Sequence, residues 1–343
     1  MTKKDIKNFT LEELKKEIEN IGEPAYRARQ LFSWLYKKGC GDFARMSNMP
    51  EALRQKLAGN YYIGDLILAE RLRSVDGTEK FLFELYDNNF IESVLIYSKE
   101  RKTACLSTQV GCKYACAFCA SALRGFVRNL EVSEMVNQAL FLKHELKSNL
   151  NNIVFMGMGE PLDNYENVTK AIEIMTSPEG MNVAAGRITI STCGIVPGIR
   201  ELIAFKRGVN LSVSLHGADD KLRSALMPIN KLYPLKALLK VCSEFVRAKK
   251  GMLTFEYVLI KGKNDSLEDA DKLAAIVRKL GAKVNLLIYS PIARRGLASP
   301  CELEAEVFMK RLLGKKVKAT LRRSKGKDIA AACGQLAGRV SYK

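Results

Sequence analysis

Gln109-Val110-Gly111-Cys112-Lys113-Tyr114-Ala115-Cys116-Ala117-Phe118-Cys119 places three thiols within eight residues, spaced C-x3-C-x2-C. A loop that short can wrap its sulfurs around one metal centre. The spacing is too tight for three independent structural cysteines. Four cysteines would close an iron–sulfur cube or a tetrahedral zinc site. Three leave one metal position open to a substrate or cofactor. Competing readings are a zinc site completed by histidine, a disulfide, and chance clustering of small residues. The chain has only His144 and His216, neither at finger-like spacing. A disulfide is rarely kept in a reducing compartment. The spacing favours a metal centre.

The context of this loop sets the fold class. From Thr103 the sequence alternates strand, loop and helix. Strands are expected at 103–108, 152–157, 187–192, 209–215, 252–260 and 283–289, with a short seventh at 317–321. Helices are expected between them at 131–147, 164–176, 197–207, 234–249 and 266–280, then at 301–314. Such alternation implies a parallel sheet, and six units imply an α/β fold with an incomplete (β/α)6 barrel. In barrels the chemistry gathers in loops after the strands' C-terminal ends. The cysteine loop follows the first strand, as that rule requires. Upstream, residues 1 to about 60 read as short helices. Thr10-Leu11-Glu12-Glu13 is a capping box, Pro24 opens a second helix that Gly39 stops, and Pro50 opens a third. Residues 61–98 alternate as β-hairpins, with turns at Asp76-Gly77 and Asp87-Asn88-Asn89. The expected division is an accessory unit over 1–98 and a core over 99–343.

Bulk properties narrow the partners. At 343 residues and 47% hydrophobic content the chain can bury a large core. No run of eighteen apolar residues exists, and the first residues lack an apolar leader. Nine cysteines without such a leader suit a reducing cytoplasm. The formal charge of +18, from 55 basic and 37 acidic residues, favours a polyanion such as nucleic acid. The charge is uneven: Lys310 to Lys343 holds eleven Lys/Arg and a single acid, Asp328. Basic helix faces at Arg27, Arg29, Lys37 and Lys38 suit either RNA docking or plain solvation.

Strand ends supply further candidates. Phe155-Met156-Gly157-Met158-Gly159-Glu160-Pro161 has glycines that let backbone approach a ligand. Ser191-Thr192-Cys193-Gly194 and Ser214-Leu215-His216-Gly217 each put a small polar residue at the barrel mouth. Together they read as one binding surface. Cys333, in Asp328-Ile329-Ala330-Ala331-Ala332-Cys333-Gly334-Gln335-Leu336, sits among small residues; by itself it reads as a buried small hydrophobe.

The cysteine triplet resembles the signature of the radical S-adenosylmethionine (SAM) superfamily. Six pieces, in order over nearly the whole chain, resemble the radical-SAM ribosomal RNA adenine methyltransferases, the RlmN/Cfr family. They are Ser107–Cys112, the triplet itself, Gly157–Pro161, Ser214–His216, Leu226–Asn230 and Ala331–Leu336. The resemblance implies that Cys112, Cys116 and Cys119 hold one 4Fe–4S cluster whose fourth iron is chelated by SAM. It implies that Gly159, Glu160, Ser191, Ser214, Leu215 and His216 contact SAM. Ser290 stands in Tyr289-Ser290-Pro291 where the family usually has Asn, which puts a contact there in question.

The resemblance also implies the chemistry. Carbon 2 of adenine is electron-poor and cannot attack SAM as an amine would. Two SAM molecules are consumed per turnover: one methylates Cys333, and the second gives a radical that activates that methyl group for addition to the ring. Glu92 is implied as the proton acceptor and Cys105 as the thiol that resolves the protein–RNA bond through a disulfide. Cys40, Cys242 and Cys301 are read as structural, and Cys193 is left open. The implied substrates are 23S ribosomal RNA at the peptidyl-transferase centre and adenosine 37 of some transfer RNAs. An external flavodoxin- or ferredoxin-like one-electron reductant, a cytoplasmic location and a monomeric state complete the expectation. Arg322, Arg323, Lys325 and Lys327, just before Cys333, suit RNA phosphates. The related carbon-8 methylation is the alternative, and a metal-stabilised RNA-binding protein without catalysis is the alternative of a different class.

Overall fold

The strand periodicity resolves into one continuous sheet. The computed structural model describes residues 3–98, 101–146, 150–249, 252–292 and 296–338. Its main sheet has ten strands: β1 (Ile67–Arg73), β2 (Glu79–Glu84), β3 (Phe90–Ser98), β4 (Arg101–Cys105), β5 (Asn152–Phe155), β6 (Ile188–Thr192), β7 (Asn210–Ser214), β8 (Leu253–Leu259), β9 (Lys283–Ile288) and β10 (Lys318–Arg322). Each of these strands lies beside the next one along the chain. β1 to β4 form an antiparallel meander, and β4 to β10 pair in parallel. β1 and β10 are the two edges, so the barrel stays open. The hairpins are thus hydrogen-bonded into the sheet of the core.

The helices are α1 (Leu11–Asn20), α2 (Tyr26–Tyr36), α3 (Glu51–Asn60), α4 (Ser121–Arg124), α5 (Val132–Leu146), α6 (Tyr165–Thr176), α7 (Val196–Ala204), α8 (Asp220–Leu226), α9 (Leu235–Ala248), α10 (Leu267–Leu280) and α11 (Glu302–Gly314). Caps mark their ends. Thr10 and Glu13 form the capping box that opens α1, Ser266 and Asp269 another that opens α10, and Gly281 closes α10 at φ +60°. α4 and α8 are helices that strand–helix alternation does not reveal, because each is too short to show a period. The last residue of the expected 131–147 helix lies outside the described residues.

Two strands stop earlier than their apolar runs suggest. β4 ends at Cys105 because Ser107 turns inward: its N–H donates to Gln138 Oε1 and its hydroxyl to Glu92 O. β5 ends at Phe155 because Gly157 N–H donates to Leu106 O. There the two chain segments touch, and a Cβ on Gly157 would lie 2.7 Å from Leu106 and Ser107 backbone. Only glycine allows that crossing.

The accessory helices share the main core. Phe32, Leu31 and Leu35 of α2 are buried in the same cluster as the sheet. Lys7 donates across to Asn137 Oδ1 at 2.8 Å, and Lys170 pairs with Glu13 at 2.5 Å. Beneath the meander, Phe81 and Phe83 meet Phe141 of α5 edge-on, with ring centroids 5.5 and 5.0 Å apart. Among the described residues no helix is long and apolar enough to cross a membrane. Phe83→Ala is expected to lower unfolding free energy by about 3–5 kcal/mol. The check is the urea midpoint at an unchanged slope.

Candidate metal and cofactor site

The cysteine loop has little regular structure, so its shape is imposed by neighbours. A short antiparallel pair, 109–111 against 126–129, closes its two ends. Cys112 N–H donates to Gly125 O. Gly111 must be glycine, since a Cβ there would lie 1.7 Å from Gly125 O. Lys113 pairs with Asp163 at 2.7 Å, and Tyr114 donates to the same carboxylate at 3.0 Å. Ala117 N–H donates to Leu226 O at the end of α8, and Ala120 N–H to Gly334 O in the C-terminal segment.

Around this loop lies a cavity with about 1020 Å³ of empty space, its open mouth included. Cys112, Cys116 and Cys119 line it, as do Gly159, Glu160, Ser191, Ser214, His216 and Cys333. The ends of four different strands and the C-terminal segment therefore meet at one place. Leu215 is fully buried outside the cavity wall. Ser290 is also buried outside it, and its hydroxyl has no hydrogen-bond partner among the described residues. Cys105 and Glu92 are buried and do not line the cavity.

Burial and neighbours set the charge states. Burial pushes the Cys112 thiol up to about 12 and raises Cys116 well above its ordinary value. His216 sits at φ +53° and is held neutral: burial, then the Arg223 cation, lower its pKa to about 3. Val258 N–H donates to its Nδ1 at 3.0 Å, so the remaining proton is on Nε2. Glu160 is raised by burial, although its oxygens accept from Leu162 and Cys193 N–H. Cys333 reaches the cavity surface yet is ringed by protein atoms. Burial and Glu256 raise its thiol, and Arg322 lowers it. Cys105 is raised by burial and then by Cys333, whose sulfur is close enough to act on it.

Several supporting residues escape sequence reading. Arg223 of α8 is fully buried, donates to Asn230 Oδ1, Cys193 O and Ser214 O, and so ties the ends of β6 and β7. Its signal was an arginine among the leucines of a short helix. Glu256 lines the cavity and accepts from Ser212 and Asn285. Gln109 fixes the glycine-rich turn through Glu160 N–H at 2.9 Å. Cys193, left open by the sequence, also lines the cavity beside Glu160.

The donor set suits an iron–sulfur cube. Three soft thiols face one cavity, and on a cube they would leave one corner without a protein ligand. Among the described residues no three such groups converge on a point that a single ion could fill. A cube does not need that convergence, because each thiol binds a different iron.

Residues 106–274 match the radical SAM superfamily, and residues 4–63 match the ribosomal RNA large subunit methyltransferase N-terminal domain. The chain is 44% identical over 340 residues to a dual-specificity RNA methyltransferase RlmN of Geotalea uraniireducens, covering 99% of this chain and 98% of that one. It is 41% identical to the RlmN of Nautilia profundicola, over 96% of this chain and 98% of the relative. A crystal structure of a radical SAM methyltransferase from Sphaerobacter thermophilus superposes with a TM-score of 0.93 at 40% identity, covering 98% of this chain and all of the other.

The His216 state has a consequence for stability. The ordinary imidazole value is ~6.5, and in the fold burial and then Arg223 lower it to about 3. Between these values the unfolded chain binds the extra proton, so acid destabilises the fold by about 1.4 kcal/mol per pH unit through this group. Thermal melts from pH 7 to pH 5 are expected to fall more steeply for the unmodified chain than for His216→Gln. Equal slopes would contradict the buried neutral imidazole.

Proposed function

The chain belongs to the RlmN family of radical-SAM RNA methyltransferases, and on that premise we propose that it methylates carbon 2 of an adenosine in 23S ribosomal RNA and of adenosine 37 in some transfer RNAs. The observation that carries this reading is that Cys333 shares one cavity with the three loop thiols while Cys105 lies within electrostatic reach of Cys333. A methyl carrier must meet both the methyl source and its resolving partner.

In this reading Cys112, Cys116 and Cys119 hold a single 4Fe–4S cluster, and residues 99–343 form the catalytic unit. When bound, the cluster supplies the electron that cleaves SAM. Glu160 offers its buried carboxylate, and His216 its Nε2 proton, to SAM; Gly159, Ser191 and Ser214 line the rest. Ser290 would act from behind the wall, through the shape of the loop that follows β9.

Cys333 takes the first methyl group: its sulfur forms the new bond to carbon as the sulfonium bond breaks, and the thiol proton leaves. Arg322 favours the thiolate that this step needs. The carbon held on Cys333 would give up one hydrogen atom to the fragment released from the second SAM and then bond to the ring, the odd electron of the adduct returning to the iron–sulfur cluster. Glu92 receives the ring proton. The Cys105 thiolate attacks the Cys333 sulfur, forming a disulfide as the sulfur–carbon bond breaks; the carbon leaves with the RNA and the bond's electron pair and takes up a proton, such as the one Cys105 released, to become a methyl group. Two SAM molecules are used, and a flavodoxin- or ferredoxin-like donor supplies the electron.

The base must leave its stack to enter the cavity, so recognition is by RNA shape. We assign residues 1–98 an accessory role in that docking, and place a monomeric enzyme in the cytoplasm with its RNA.

Cys333→Ala is expected to retain iron and sulfide after anaerobic purification but deliver no methyl group to RNA. Cys105→Ala is expected to trap a protein–RNA adduct; normal yields of free methylated RNA would remove its role. Mass analysis of digested RNA should locate the methyl on carbon 2, and carbon 8 would replace this reading with the Cfr-like one. A colourless zinc protein would favour the non-catalytic binder. Reversing the charges of Arg322, Arg323, Lys325 and Lys327 should weaken RNA binding and flatten its logarithmic salt dependence by roughly 0.7–0.9 for each phosphate no longer neutralised. An unchanged slope would remove these residues from the RNA interface.

A further inference from the structure

The segment that carries Cys333 is a strap, and its two limbs are held by one ion pair. After β10 the chain crosses from one edge of the open sheet to the meander near the other. The near end docks on the β1–β2 turn. Gly326 N–H donates to Asp76 Oδ2 at 2.9 Å, and Asp328 accepts from Ser74 Oγ at 2.5 Å and from Val75 N–H at 3.1 Å. From Ala330 to Gly338 the strap rises over Cys333 and returns. Ala330 takes φ +50°, Gly334 +84° and Gly338 +65°, so the loop is sharply bent on both sides of the cysteine.

Lys80 of β2 stands beneath this loop. Its ammonium donates to Ala330 O, on the incoming limb, at 3.3 Å. It also pairs with Glu92 Oε1 of β3 at 2.9 Å. The other oxygen, Glu92 Oε2, accepts from Ala337 N–H at 2.7 Å and Gly338 N–H at 2.9 Å, on the outgoing limb. Lys80 and Glu92 are both largely buried, with side chains 12% and 7% exposed. Removing one partner of such a pair strands the other charge. The crest is held from the opposite side by the cysteine loop, where Ala120 N–H meets Gly334 O and Ser121 Oγ donates to Leu336 O at 2.6 Å.

We propose that Lys80 is a positioning residue for Cys333, tying both limbs of its loop, directly at Ala330 and through Glu92 at Ala337 and Gly338. The proposal rests on the reading of Cys333 as methyl carrier. It adds a coupling that the reading does not contain. While the strap is down, both Glu92 oxygens are occupied, so the outgoing limb must lift before Oε2 can take a proton. The ion pair thereby links the position of the cysteine to the availability of the carboxylate.

The test compares the cluster-loaded enzyme with its Lys80→Met and Lys80→Arg variants, measuring iron per chain, amide hydrogen exchange over 331–338, and transfer of labelled methyl from SAM to Cys333. The expected result is unchanged iron in both variants. In Lys80→Met, exchange over 334–338 should quicken by at least about tenfold, since local opening governs it. Methyl loading should slow by about tenfold or more, as expected when a buried pair is broken. Lys80→Arg, which keeps the charge and the donors, should restore both measures to within about threefold. Unchanged exchange in Lys80→Met overturns the proposal. So does equal damage in Lys80→Arg, or loss of cluster iron in Lys80→Met, which would mark Lys80 as a general support. A parent enzyme whose Cys333 never carries a methyl group would instead refute the carrier reading, and the exchange data would still decide the latch.

Discussion

A loop of thiols cannot shape itself. The cysteine loop makes few hydrogen bonds of its own, and its backbone groups must be satisfied from outside. The small β-pair, Asp163, the end of α8 and the C-terminal strap each supply one support. Each comes from a different part of the chain, up to the last described segment. The site is therefore the place where the whole sheet is read out, and it forms only when the sheet has formed. That dependence follows from drawing the loop's hydrogen-bond and ion-pair partners from segments far apart along the chain.

The open sheet answers a second constraint. A closed barrel of about eight strands has no free edge, and its interior is just wide enough for side chains to fill. Here β1 and β10 stay apart, and the strap crosses the gap instead. One face of the cavity is thus a peptide fastened at a few polar points, in contrast to the strands that form the other walls. Cys333 therefore sits in a loop held at its crest by the cysteine loop and at its limbs by the meander.

Buried charge recurs beneath this arrangement. Arg223 under the strand ends, Glu92 under the strap and Glu160 against the β6 turn are buried and hydrogen-bonded, and Lys80 beside Glu92 is largely so. Such groups add little net stability, since desolvation offsets their attraction. What they fix is geometry. Arg223 joins two strand ends, and Glu160 joins the glycine-rich turn to the next strand.

The sequence by itself determined the thiol spacing, the alternation of strand and helix, the helix caps and the concentration of positive charge. Those are local: each depends on periodicity 2 or 3.6, on a cap, or on composition. It also carried the family motifs in order, and the cavity gathers most of the residues they pointed to. Only the tertiary structure decided that β4 stops at Cys105, that Arg223 and Glu256 face the site, that Ser290 and Leu215 stand outside its wall, and that Lys80 reaches a residue 250 positions away. Those facts are set by which segments cross at which height in a twisted sheet. No single stretch of sequence holds that information, because a side chain's partner is fixed by the packing of elements far apart along the chain.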